Sequence, residues 1–216
     1  MLLLGNLIYY LLVGKPLDFV SADTYQLIQL PTWRSLVNLL TLKDCEKRLH
    51  SNRLLEHPAF WNDNPKKIFN FIQKLYLNKD VIGLNEISIK YSISNIDLFS
   101  DNSWKTSIPI EVYQMVPEYK LYNENKICDL LSFILYVVKH LYDESPDDLL
   151  QERKSTLSYF RALKPSFADH PILYFQFRFR SLIPKLWESV YFAQQELILK
   201  QKIIENLLLD KSTREF

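Results

Sequence analysis

Between Lys126 and Asp143 the sequence KICDLLSFILYVVKHLYD separates into two faces when wound as a helix at about one hundred degrees per residue. Ile127, Leu130, Leu131, Ile134, Val137, Val138 and Leu141 fall on one side. Asp129, Ser132, Tyr136, Lys139, His140 and Asp143 fall on the other. A histidine beside a lysine, a tyrosine and acids is either the solvated face of an ordinary surface helix or one wall of an active site. In the second case His140 is the group suited to moving a proton near neutral pH.

The elements that must position this face come from a chain of 216 residues, 48% apolar and 24% charged, which suffices for one good core or two small ones. A net charge of +1 gives no bulk electrostatic case for nucleic acid, so any such contact has to come from a local patch. Cys45 and Cys128 lie far apart, with no second cysteine or histidine at ligand spacing. Neither a metal site nor a redox pair is expected, and the compartment reads as reducing. With only three glycines there is no Gly-rich phosphate loop, so neither a nucleotide nor another cofactor is expected. Apolar residues recur at three and four, which predicts an all-α protein.

Met1–Val13 is a short apolar run without a basic leader segment, which reads as a buried core helix ended by Gly14 and Pro16 rather than a signal or membrane anchor. Ser21 or Asp23 is placed to cap a helix to Leu30, and Thr32 to cap the helix that follows. Asp44 to Trp61 reads as a further helix ending before Pro58, and Asn64-Pro65 opens another. Val81 to Ser103 fits helix or loop, and Trp104 to Tyr122 a short helix broken near Pro109 and Pro117. Ser145-Pro146 starts a helix over SPDDLLQERKSTLSYFRALKP, and Pro184 either kinks one later helix or separates two. Glu196 to Asp210 is an amphipathic tail.

Two blocks carry a family resemblance. LLEHPAFW, Leu54 to Trp61, preceded by DCEKR, resembles the end of a protein-kinase C-lobe that runs directly into a nuclease. ICDLLSFILYVVKH resembles the "DLLRxIRNxxxH" helix of that nuclease. The family is the KEN (kinase-extension nuclease) ribonuclease domain of the 2-5A-dependent ribonuclease and of the unfolded-protein-response sensor kinase-endoribonuclease. Trp104-Lys105, Tyr119, Tyr122 and LYFQFRFRSLIPKLWESVY agree in order, and LGNLIYYLLVGKP resembles a buried C-lobe helix.

The resemblance implies a C-lobe remnant over 1–61, a KEN domain over 62–191 and a helical extension over 192–216. It implies RNA cleavage without metal or cofactor, the ribose 2′-hydroxyl attacking the adjacent phosphate. His140 would be the general acid, and Tyr122, near the scissile phosphate, a hydrogen-bond donor or a 2′-hydroxyl orienter. Asp129, Tyr136 and Arg178 would lie on the substrate side, Asp129 more as a hydrogen-bonding scaffold than as a catalyst. The family's arginine is Leu135 here and the following asparagine is Tyr136. Leucine offers no charge to a phosphorane, so activity is expected to be weak, with Lys139 at i+4 as the imperfect substitute. The alternative is a catalytically dead dimerisation or regulatory module.

The kinase's Gly-rich loop, lysine and catalytic aspartates have no counterpart here, so protein kinase activity is not expected of this chain. A start inside a C-lobe helix suggests a fragment of a longer kinase-nuclease, with Arg48 left without its usual glutamate. Implied partners are RNA and a second copy or full-length relative in a dimer, with no membrane and a cytoplasmic location.

Overall fold

A computed structural model of the protein describes residues 1–17, 29–80, 82–84, 86, 103–116, 121–142 and 150–212. The expected helix from Ser21 or Asp23, the start at Ser145-Pro146 and most of Val81 to Ser103 lie outside these residues. Among the described residues all regular structure is helical, as expected. The chain forms two compact units, Met1–Leu54 with Trp187–Phe216, and Leu55–Leu186.

In the first unit, α1 (Leu2–Val13) packs on α2 (Pro31–Thr41). Gly5 permits the close approach, because a Cβ there would stand 2.6 Å from Thr41 Cγ2 and 2.9 Å from Leu40 Cβ. Tyr9 and Val37 form the buried centre, flanked by Ile8, Val13, Leu17 and Trp33. Gly14 ends α1 in the left-handed region at φ 76°, its N–H donating to the Tyr10 carbonyl. The helix is not the buried core element its composition suggests, since Leu3, Leu7, Tyr10, Leu11 and Leu12 are exposed. It is apolar all round but packs through one side only.

Thr32 is not a cap. Leu30 takes the extended N-cap position and Pro31 opens the helix, where the missing N–H costs nothing. Asp44 to Trp61 is not one helix but three 3₁₀ turns, Cys45–Lys47, Ser51–Glu56 and Pro58–Phe60. Side chains divert the backbone there: the Asp44 carboxylate accepts from the Glu46 N–H at 3.1 Å, and His57 Nδ1 from the Ala59 N–H at 3.1 Å. Arg48 donates its Nε–H to the Leu42 carbonyl at 2.7 Å, and Tyr191 its hydroxyl to the Arg48 carbonyl at 2.7 Å.

In the second unit, Asn64 caps α3 (Pro65–Leu77) by accepting from the Lys67 N–H, as its sequence predicts. After the short α4 (Ile110–Tyr113) comes α5 (Ile127–Tyr142), which packs against α3, α6 (Leu150–Leu163) and α8 (Pro171–Arg178). The five-residue α7 (Pro165–Asp169) joins α6 to α8. Every member of the predicted apolar face of α5 is buried, and Phe133 joins them. A break at Phe179–Ser181 separates α8 from α9 (Leu182–Ser212), so two helices exist and Pro184 lies in the first turn of the second.

Candidate active site

The polar face of α5 is built from its N-terminal end. Tyr122 lies on the loop before the helix, and both peptide groups of its neighbour Asn123 are held. The Asn123 N–H donates to Asp129 Oδ2 at 2.5 Å, and the Asn123 carbonyl accepts from Trp104 Nε1 at 3.1 Å. Trp104 is fully buried, and its backbone N–H reaches the Glu124 carbonyl at 3.3 Å. Its ring lies 5.2 Å from Phe133 and 6.4 Å from Tyr122, centroid to centroid. The loop is thus fastened on two sides, by the buried indole and by a carboxylate from the helix it leads into.

Tyr122 opens onto a cavity of about 230 Å³ lined by Tyr76, Lys79, Leu121, Tyr122, Asp129 and Ser132. The Ser132 hydroxyl donates to the Tyr76 hydroxyl at 3.2 Å. Burial raises the Tyr122 phenol above its ordinary value; Ser132 opposes the shift, while Tyr76, Tyr136 and Asp129 add to it. Tyr122 therefore keeps its proton across the physiological range and is a hydrogen-bond donor.

One turn further along, the rings of Tyr136 and His140 stack with centroids 3.8 Å apart. His140 Nδ1 stands 2.9 Å from the Tyr136 carbonyl. A carbonyl only accepts, so Nδ1 is assigned the proton and Nε2 is left to exchange one with a substrate. Tyr136 thereby orients His140 through both its ring and its carbonyl.

The remaining candidates divide. Lys139 is exposed and is not among the residues lining the cavity, and Leu135 is half-buried. Arg178 donates its Nε–H to the Ser107 carbonyl, while its neighbours Phe175 and Phe179 are buried. Tyr76, Lys79 and Ser132 line the cavity without having been marked as site residues in the sequence. Ser132 lay on the predicted polar face, whereas Tyr76 and Lys79 come from α3 and the turn after it. Nothing in their local spacing points to a partner more than forty residues away.

A sequence model of the family described as Ribonuclease 2-5A matches residues 87–203, more than half of the chain. The chain is also similar to the probable serine/threonine-protein kinase ireA of Dictyostelium discoideum, with 30% identity over 161 residues. That match covers 67% of this chain and 16% of the relative, so the chain spans a small part of that protein's length. No solved structure matches. The extent of the family match settles the kinship that the α5 motif suggested, and the chain belongs to the ribonuclease 2-5A family.

Proposed function

We propose that this chain is a KEN-type endoribonuclease domain that cleaves single-stranded or loop RNA without metal. In the reaction the 2′-oxygen bonds to the adjacent phosphorus and loses its proton to water. The bond from phosphorus to the 5′-oxygen breaks, leaving a cyclic phosphate and a 5′-hydroxyl. His140 in its protonated form gives the Nε2 proton to the leaving 5′-oxygen, and the Tyr122 hydroxyl donates a hydrogen bond at the phosphate. Tyr136 and Asp129 hold these two groups, Arg178 adds charge at the substrate side, and Lys139 approaches from the His140 end. The observation that carries the reading is the Tyr136–His140 stack on the polar face of the helix whose Asp129 holds the loop bearing Tyr122.

The activity is weak, because leucine occupies position 135 and offers no bidentate charge to the phosphorane. The same reading assigns 1–61 to the end of a kinase C-lobe, 62–191 to the nuclease and 192–216 to a helical extension. It also assigns the working form to a dimer with a second copy or a longer relative. Leu135 favours a second reading, a module that dimerises or regulates without cleaving.

Cleavage of a labelled stem-loop RNA over a range of protein concentrations tests the two. Cyclic-phosphate products from the wild type that vanish in His140→Ala support the enzyme. Cleavage unchanged in His140→Ala removes the catalytic assignment, and none at any concentration favours the module.

A further inference from the structure

Among the described residues one cation lines the cavity beside Tyr122, Lys79, and it comes from outside the family motif. Lys79 follows the C-cap Asn78 of α3 in a closed turn, where the Leu84 N–H donates to the Lys79 carbonyl at 2.8 Å and Leu84 itself is fully buried. The backbone is therefore fixed, and Lys79 lines the cavity. Nζ lies 4.4 Å from the centroid of the Tyr76 ring, a cation–π contact. Among the described residues no carboxylate stands within ion-pair distance of it.

The acids nearby have other positions. Asp129 has one oxygen on the Asn123 N–H, and Asp80 and Glu86 are exposed, where salt screens them. The field of Lys79 reaches the buried Cys128 thiol at the start of α5 and opposes the rise that burial causes, to which Asp129, Asp80 and Glu86 add. The lining also offers the hydroxyls of Tyr76 and Tyr122, able to donate to phosphate oxygens, with Ser132 donating to Tyr76 behind them.

Resting on the reading of the chain as a ribonuclease, we infer that Lys79 binds a backbone phosphate of the RNA from the Tyr122 side of the cavity. It supplies positive charge that Leu135 lacks, with Tyr76 as a hydroxyl donor beside it, itself accepting from Ser132. The charge has moved from the catalytic helix to the turn after α3. A lysine there is a point charge on a flexible stem, so it holds a phosphate without the two-pronged geometry of a guanidinium.

The test measures binding and cleavage separately. Binding uses a stem-loop RNA with 2′-deoxy loop residues, which cannot undergo transesterification, titrated at several salt concentrations. Lys79→Gln is expected to flatten the slope of log K against log salt by about 0.7, the share of one phosphate contact on a single strand. It is also expected to lower kcat/KM on the all-ribose RNA by roughly tenfold or more. Lys79→Arg keeps the salt slope, which separates loss of charge from loss of fold.

A Lys79→Gln variant with the wild-type slope and wild-type kcat/KM, in a protein whose cleavage is abolished by His140→Ala, overturns the inference and leaves the ribonuclease reading standing. Absence of cleavage in the wild type, or cleavage that persists in His140→Ala, overturns that reading and this inference with it.

Discussion

The imidazole of His140 lies flat against the ring of Tyr136, 3.8 Å between centroids, and points Nδ1 at the same residue's carbonyl 2.9 Å away. A tyrosine at this position does by stacking what a small polar residue cannot. Leu135→Arg alone should therefore raise cleavage on the order of a hundredfold, the usual worth of one transition-state donor. Adding Tyr136→Asn should return part of that gain, several-fold, because the stack is lost while the backbone carbonyl remains. Initial rates of the single and double variants measure both steps. A double variant faster than Leu135→Arg would show that the stack does not orient His140.

Trp104→Phe removes the N–H that the Asn123 carbonyl accepts and leaves the ring packing largely in place. A stability loss of about 1–3 kcal/mol is expected from the orphaned carbonyl. For a chain of this size each kcal/mol lowers Tm by about 2–4 °C. Cleavage should fall further than Tm accounts for, since the loop bearing Tyr122 loses one of its two fastenings. Calorimetry and cleavage rates taken well below Tm separate the two effects.

His57 is fully buried, and burial lowers its pKa from 6.5 to about 3. Its Nδ1 accepts the Ala59 N–H, which requires an unprotonated nitrogen. Below the ordinary value the unfolded chain takes up a proton that the folded chain refuses. The contribution of His57 is thus complete above about pH 6.5 and declines by about 1.4 kcal/mol per pH unit toward about pH 3. Denaturant titrations between about pH 7 and pH 4 should show this slope, and His57→Asn, which can still cap Ala59, should flatten it. A slope identical in both proteins would assign acid sensitivity elsewhere.

Gly5→Ala sets two effects against each other. Alanine improves helix propensity by about 1 kcal/mol, but its Cβ would enter the space of Thr41 Cγ2 and Leu40 Cβ, at 2.6 Å and 2.9 Å. Overpacking of this kind costs about 1–3 kcal/mol. The clash should win and Tm should fall. A rise in Tm would show that α1 and α2 are not in close contact through Gly5.

Much of α3 and α5 was legible in the sequence because both helices have one apolar side, and α3 carries its own start signal in Asn64-Pro65. The polar face of α5, with His140, Asp129 and Ser132, was legible for the same reason. Asp44 to Trp61 was not, because short side-chain bonds from Asp44 and His57 turn a helical pattern into separate 3₁₀ turns. Nor was the exposure of α1, whose leucines surround the helix and give periodicity nothing to separate. Tyr76 and Lys79 stayed hidden for a third reason. Their meeting with Tyr122 and Ser132 is a product of helix packing, and a single helix's pattern holds no record of its neighbour.

The double hold on Asn123 has a practical meaning for its neighbour. Because the two peptides on either side of Asn123 are fixed, one by Asp129 and the next by Trp104, position 122 behaves as a socket whose occupant can be exchanged while its mounting stays put. Phenylalanine, histidine or a fluorinated tyrosine installed there would each meet the same surroundings, so the hydroxyl's acidity becomes a quantity that can be dialled independently of its address.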